Sequence, residues 1–97
     1  MAFKFDFEFD EKKSLSNKIK HGIDFTEAQK LFEKEDVFIQ RAKTIDGEER
    51  YALIGKMGDK CYAAIFTFRG DKIRLISVRR CRKKEKEKVK DYDKDEG

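Results

Sequence analysis

Arginines in the second half of the chain are the side chains with the most specific chemistry. Five of them cluster around one predicted strand and its flanks: Arg69, Arg74, Arg79, Arg80 and Arg82. Arg50 lies at the start of a neighbouring predicted strand. Strands of an antiparallel meander lie about 5 Å apart, so these side chains can converge. Arginine keeps its charge and presents a planar fork that binds phosphate through two hydrogen bonds. The pattern predicts a phosphate-binding surface.

Cleavage of RNA could use such a surface without a metal ion. The 2′-hydroxyl attacks the adjacent phosphate in line, and the enzyme must move protons and stabilise the added negative charge. His21 is the candidate general acid or base, because imidazole exchanges a proton near neutral pH. Glu8 and Lys13 are candidates for a supporting role, and Arg74 and Arg82 for substrate binding. The structural alternative for His21 is a cation that caps the end of a helix.

Other kinds of site have less support in the sequence. One histidine and two widely separated cysteines do not have the spacing of a zinc site. The glycines are isolated from one another, so no phosphate-binding glycine loop is present. We therefore expect neither a metal nor an organic cofactor.

Positive charge is concentrated towards the C-terminus. Residues 1–68 carry a net charge of −1, residues 69–90 carry +8, and residues 91–97 carry −3. A basic region of this kind favours a polyanionic partner. The alternative for the lysine-rich run 82–90 is a solvated helix surface.

Apolar spacing predicts the order of the elements. Four phenylalanines alternate with charged residues and predict an N-terminal strand over 3–10. Two helices should follow: one over 11–20, begun by Asp10 and ended by Gly22, and one begun by a capping box of Asp24 and Glu27. Four further strands and a charged helix complete the prediction, over residues 37–42, 49–56, 60–68, 72–80 and 82–92.

This order predicts an α+β fold in which the two N-terminal helices cover one face of an antiparallel sheet. The other face should be open and lined by arginines, and Val89 and Tyr92 should dock the C-terminal helix. Simple alternation along the last strand puts Ile73 and Leu75 on the face opposite Val78. We expect a single domain over 1–90 and a disordered acidic tail over 91–97.

The location of the protein is predicted from the lack of a long apolar segment. No apolar run reaches the roughly 20 residues that cross a membrane, so we expect a cytoplasmic protein without a membrane partner. Cys61 and Cys81 are then expected to be reduced and structural, although a redox pair is an open alternative.

Several short motifs in order resemble the BrnT family of type II toxin–antitoxin systems. They run from about Phe7 to Glu85. The N-terminal ones are Phe7-Glu8-Phe9-Asp10, Lys13, Asn17, Lys20-His21-Gly22 and Phe25-Thr26-Glu27-Ala28. The later ones are Glu48-Glu49-Arg50, Ile54-Gly55, Thr67-Phe68-Arg69 and Arg74-Leu75-Ile76-Ser77-Val78-Arg79-Arg80. Phe9 stands where the family has tryptophan.

The resemblance implies a RelE-like fold and a ribonuclease that arrests translation, with the RNA substrate free or on the ribosome. It also implies a cognate antitoxin resembling BrnA, and binding to operator DNA only through the toxin–antitoxin complex. The residues suggested for catalysis are His21, Arg50, Arg69, Arg79 and Arg80.

Two other functions stay open at this point. The chain could be a non-catalytic regulator that binds RNA or the ribosome, in which case binding would depend steeply on salt. It could also be a protein-interaction domain whose basic surface meets an acidic partner.

Overall fold

A computed structural model describes the backbone of residues 6–94 and the side chains of residues 6–89. Most of the predicted elements are present, and Phe3 and Phe5 lie outside the described residues. The strands are β1 (Asp6–Glu8), β2 (Phe38–Arg41), β3 (Tyr51–Met57), β4 (Lys60–Arg69) and β5 (Lys72–Arg80). The helices are α1 (Glu11–His21), α2 (Phe25–Ala28), which continues as a 3₁₀ helix (Gln29–Glu33), and α3 (Lys83–Lys94). Thus α3 extends into the segment predicted as a tail, and residues 95–97 lie outside the description.

The sheet is mixed, which corrects the prediction of an antiparallel sheet. Its order is β1-β5-β4-β3-β2, and β1 runs parallel to β5 while all other neighbours are antiparallel. The helices and strands β2–β4 separate β1 from β5 along the chain, and this long connection allows the two strands to pair in parallel. β1 pairs only with residues Lys72–Arg74. The rest of β5 therefore has no strand on that side in the described part of the chain.

The main core lies between the sheet and the α1–α2 layer. The predicted capping box is confirmed: the Asp24 side chain accepts from Glu27 N–H, and Glu27 accepts from Asp24 N–H. It begins a helix whose apolar side chains are almost fully buried against the sheet. Members of this core include Phe25, Ala28, Leu31, Leu53, Phe66, Leu75 and Val78. Phe32 and Phe66 meet edge to face with ring centroids 5.2 Å apart. Aromatic rings thus supply much of the apolar area that a small domain needs.

A β-bulge in β5 changes which residues face the core. Ile65 pairs with Ser77, but Phe66 pairs with Leu75, so Ile76 is an extra residue on β5. Leu75 and Val78 both lie in the core cluster as a result. The prediction that these two residues lie on opposite faces is therefore wrong. Because side chains alternate again after the bulge, Arg79 points to the sheet face away from α1 and α2.

Helix α1 buries polar side chains and exposes apolar ones. Ser14 and Asn17 are buried, whereas Leu15 and Ile19 are exposed. The Asn17 amide donates to Val78 O at 2.7 Å and to Ile23 O at 2.9 Å, and its oxygen accepts from Val78 N–H at 3.2 Å. Asn17 therefore takes the place of a neighbouring strand at the free edge of β5.

Helix α3 covers part of the face that was expected to be open. Val89 docks it, as predicted, in a small second core with Ile54 and Ala63. Tyr92 lies outside the described side chains. Cys61 and Cys81 complete this core and form a disulfide. The prediction of two reduced thiols is therefore wrong, and a role as a redox pair stays an open alternative.

We expect replacement of Asn17 by alanine to destabilise the fold. It removes three hydrogen bonds and leaves buried backbone groups of Val78 and Ile23 without partners, which should cost about 3 kcal/mol. Urea denaturation measures this, with Ser16→Ala on the exposed face of the same helix as the control. Equal stability of the two variants would contradict the role given to Asn17.

Reduction should weaken the docking of α3. The disulfide closes a segment in which the two cysteines are separated by 20 residues. In the chain-entropy view its loss costs about 3 kcal/mol. Denaturation with and without a reductant tests this, and a Cys61→Ser/Cys81→Ser variant should show no difference between the two conditions. A wild-type protein that is equally stable in both would contradict the expectation.

Candidate functional site

A basic hollow lies on the sheet face away from α1, between the β2–β3 connection and the start of α3. Its volume is about 400 Å³. The apolar residues Ala52 and Ile65 line it together with five basic side chains and one carboxylate. The charged residues are Arg41, Lys43, Arg50, Arg79, Arg82 and Glu85. Three of the predicted arginines, Arg50, Arg79 and Arg82, thus come together here. The excess of positive charge suits a phosphate group.

Arg50 is held near this hollow with part of its donor set unused. Its Nε lies 3.5 Å from Glu48 Oε1, which is an ion pair but not a well-formed hydrogen bond. The same Nε is buried and has no hydrogen-bond partner. A buried donor without a partner is uncommon, because it costs free energy to remove it from water. An anion in the hollow is one group that could satisfy it.

Arg79 is fixed by the first turn of α3. Its Nη1 and Nη2 donate to the two carboxylate oxygens of Glu85, at 2.8 and 2.9 Å. Glu85 Oε1 also accepts from Arg82 N–H at 2.7 Å, so the carboxylate caps the start of α3 as well. These contacts lower the pKa of Glu85, chiefly through the Arg79 hydrogen bonds, and raise the pKa of Arg79.

A second basic cluster lies at the opposite end of the same face. Arg74 Nη1 is 2.8 Å from Glu8 Oε2, and Arg69 Nη1 is 4.0 Å from the same oxygen. Register connects the two clusters: Glu8 pairs with Arg74, which pairs with Thr67 on β4. Tyr51, the first residue of β3, pairs with Phe66 on β4. Arg50, one residue earlier in the chain, therefore lies beside Thr67. A row of polar and basic positions therefore crosses the sheet.

His21 and Lys13 lie elsewhere. With Lys20 they line a smaller hollow of about 180 Å³ at the free edge of β5, beside Ile76 and Ser77. No residue lines both this hollow and the one around Arg79. The structure therefore does not bring His21 to the arginines that were predicted to act with it.

Arg80 is also separated from Arg79. Neighbours on a strand point to opposite faces. The Arg80 guanidinium carbon lies 5.8 Å from the centroid of the Tyr62 ring, and Tyr62 belongs to the core on the α1–α2 side. Arg80 also lines a hollow beside Lys83 and Lys86 of α3, which shares no residue with the hollow around Arg79. The adjacent pair Arg79-Arg80 thus lines two different hollows.

Sequence reasoning missed three residues of the basic hollow: Arg41, Lys43 and Glu85. Arg41 and Lys43 flank the end of a short edge strand, and nothing local marks them. Glu85 carries a signal that could have been used, because a glutamate three residues after a helix start is typical of a cap. It stands in the lysine-rich run 82–90, which had been considered mainly for its positive charge.

Comparison with known proteins assigns the chain. Residues 9–85 match a family described as the ribonuclease toxin, BrnT, of type II toxin–antitoxin systems. The chain belongs to the BrnT family. No curated protein matches it significantly. The BrnT match includes the basic hollow, Arg69 and Arg74, the His21 hollow and α3 as far as Glu85, the residue that holds Arg79; Glu8 lies one residue before it.

The described residues of this BrnT-family chain contain neither a candidate metal site nor a candidate membrane span. No group of three or more histidine, cysteine, aspartate or glutamate side chains is placed to hold a metal ion there. No helix within that part of the chain is long and apolar enough to span a membrane.

We expect the contribution of Glu85 to stability to depend on pH. Its pKa is lower in the fold than in the unfolded chain. Its stabilising effect is therefore present above the ordinary glutamate pKa and is lost as pH falls through the lowered value. At pH 7, Glu85→Gln should cost about 2 kcal/mol, since hydrogen bonds to charged groups are of that size.

Denaturation of the wild type and Glu85→Gln over a pH series tests this. The difference between them should shrink on acidification, while Glu87→Gln, on the exposed face of the same helix, should match the wild type throughout. A difference for Glu85→Gln that does not change with pH would show that the charge of Glu85 is not what stabilises α3.

Proposed function

We propose that this protein is a metal-independent endoribonuclease toxin that inhibits translation, and that the hollow around Arg50 and Arg79 binds the scissile phosphate. The observation that carries the proposal is the convergence of five basic side chains around one carboxylate on the face of a sheet. Membership of a ribonuclease family supports RNA as the substrate.

Arg79 has the donors that this role requires. A guanidinium has five N–H groups. Arg79 uses two for Glu85 and one for Arg80 O, and the other two have no partner among the described residues. Glu85 thus orients Arg79 without using all of its donors. A phosphate that binds here would meet the remaining N–H groups together with Arg50 and Arg82.

The arginines would act chiefly on the transition state. Attack by the 2′-hydroxyl, which loses its proton to solvent, forms a bond to phosphorus as the bond to the 5′-oxygen breaks and that oxygen takes up a proton from solvent. While five oxygens surround phosphorus, negative charge grows on the two non-bridging oxygens. Fixed cations stabilise that charge more than they stabilise the ground state, and this difference accelerates the reaction. Arg69 and Arg74, near Glu8 on the same face, would bind phosphates further along the RNA.

His21 needs a separate account, because it lines the other hollow. We propose that it binds RNA together with Lys13 and that it does not move the proton at the phosphate held by Arg79. His21→Ala should then raise KM and change kcat little. A fall in kcat with loss of the pH dependence would instead make His21 the general acid or base.

The family and the fold support several finer proposals. We propose a RelE-like arrangement, for which three helices and a five-stranded mixed sheet are suitable. We also propose a cytoplasmic toxin, neutralised by a BrnA-like antitoxin, with operator DNA bound only by the complex. The RNA substrate could be cleaved on the ribosome, where positioned messenger RNA would supply alignment.

One observation favours a second candidate function, a non-catalytic RNA-binding regulator. Glu85 and Arg80 O occupy three of the five N–H donors of Arg79, and no histidine is among the described residues that line the hollow. Such a protein would bind RNA with steep salt dependence and release no cleavage products.

Removal of the central arginines should separate these candidates. We expect Arg50→Ala and Arg79→Ala each to lower kcat for RNA cleavage by about 10²–10³-fold, as for loss of one transition-state hydrogen-bond donor elsewhere. Lys60→Ala, which removes one positive charge in the β3–β4 hairpin, is the control. RNA cleavage is followed with purified protein, and circular dichroism verifies folding.

Growth of cells that express the same variants provides the second measurement. The wild type and Lys60→Ala should arrest growth, and the arginine variants should not. Folded variants that keep full cleavage activity would show that the site is elsewhere. RNA binding by the wild type without cleavage, with or without ribosomes, would favour the regulator.

A further inference from the structure

Helix α1 presents an apolar pair to solvent. Leu15 is 67% exposed and Ile19 is 86% exposed, and the two lie one turn apart. The inward side of the same helix carries Ser14 and Asn17, both buried. This is the reverse of the usual amphipathic helix, in which the apolar face is turned to the core.

The rotation of α1 is fixed, so the pair cannot turn inward. Asn17 makes three hydrogen bonds to backbone groups of Val78 and Ile23, and Ser14 Oγ accepts from Phe25 N–H at 2.9 Å. Turning the helix to bury Leu15 and Ile19 would break all four bonds and bury lysines. Packing among the described residues 6–89 therefore does not account for the two apolar side chains.

The charged residues around Leu15 and Ile19 indicate which kind of partner could cover these two side chains. With 3.6 residues per turn, Lys12 lies beside Leu15 and Ile19, and Lys13 and Lys20 lie on one flank. No ion pair involves these three lysines in the part of the chain that the structure describes. On the other flank Lys18 is paired with Glu27 at 2.7 Å. The exposed face is thus apolar in its centre and basic along one side.

We infer that this face of α1 binds an amphipathic helix that carries acidic residues beside its apolar stripe, and that the antitoxin supplies it. The inference rests on the proposed function for the existence of an antitoxin. Leu15 and Ile19 would be the buried anchors, as in other helix-in-groove contacts. Carboxylates beside the stripe would pair with Lys12 and Lys20.

This placement also explains how the partner would neutralise the toxin. Lys13, Lys20 and His21 line the hollow at the free edge of β5, next to the exposed face of α1. A helix that covers Leu15 and Ile19 places its acidic side over that hollow. RNA phosphates and the partner's carboxylates would then compete for the same lysines.

Affinity for the protein encoded beside this chain tests the inference. A Leu15→Ser/Ile19→Ser variant of the full chain should bind that protein at least about 100-fold more weakly, since two aliphatic anchors are lost. Ile39→Ser, which changes an exposed isoleucine on the β2 edge, is the matched control and should bind like the wild type. Lys12→Glu should also weaken binding, with a smaller effect at high salt.

RNA cleavage by the same variants, measured without the partner, keeps the two proposals separate. All of them should cleave RNA like the wild type. Unchanged partner affinity in the double variant, with cleavage intact, would overturn the docking surface and leave the ribonuclease standing. A wild type that cleaves RNA but does not bind the neighbouring protein would also overturn the docking surface and leave the ribonuclease standing.

A double variant altered only in self-association would overturn the antitoxin as the partner and assign the face to a second copy of the chain. A wild type that does not cleave RNA would count against the ribonuclease itself.

Discussion

The contact between Asn17 and the free edge of β5 is the interaction on which most of the structure depends. β1 is too short to cover more than three residues of β5. Beyond them, the amide of Asn17 bonds both the N–H and the C=O of Val78. One side chain thus satisfies two backbone groups that a longer strand would have paired. Since it also bonds Ile23 O, the same residue ties α1, the turn before α2 and the sheet together.

The direction of Arg79 follows from this contact and from the bulge before it. Without the extra residue Ile76, regular alternation would turn Val78 away from the core and Arg79 towards it. The bulge reverses the alternation, and Asn17 holds the backbone one residue before Arg79. A basic side chain can then reach the sheet face that α1 and α2 leave uncovered.

These features explain how much could be predicted from the sequence. Local signals were reliable. Asp10 begins α1 and Gly22 ends it, and the Asp24–Glu27 pair begins α2, as expected. Strand limits were right within about two residues because they depend on alternation and turn residues. The bulge was not predictable, because its cause is the pairing of β5 with β4 and α1. The same holds for the parallel pairing of β1, since a strand of three residues does not reveal its neighbour.

The candidate site shows the same difference between features that local sequence predicts and features that tertiary pairing decides. The residue types were predictable, because arginine is chemically distinctive, and Arg50, Arg79 and Arg82 do meet. Arg80 is separated from Arg79 because neighbouring residues on a strand point to opposite faces, and His21 is separated because it lies on α1 at the free edge of β5. The face that Arg79 occupies was decided by the bulge. Leu15 and Ile19 lie one turn apart on α1, but their exposure depends on Ser14 and Asn17, whose polar character would ordinarily place them outside.

Glu85 connects the stability of the fold to the electrostatics of the hollow. Five cations that line one cavity repel one another, and a single carboxylate against Arg79 and the Arg82 N–H relieves part of that repulsion. The Glu85 carboxylate belongs to the first turn of α3. The direction of Arg79, which binds that carboxylate, therefore helps to decide where α3 docks. The lining keeps a net positive charge after Glu85 is counted, so the hollow still attracts a polyanion. A second acidic residue there would hold α3 more firmly, but it would remove the potential on which the proposed phosphate site depends.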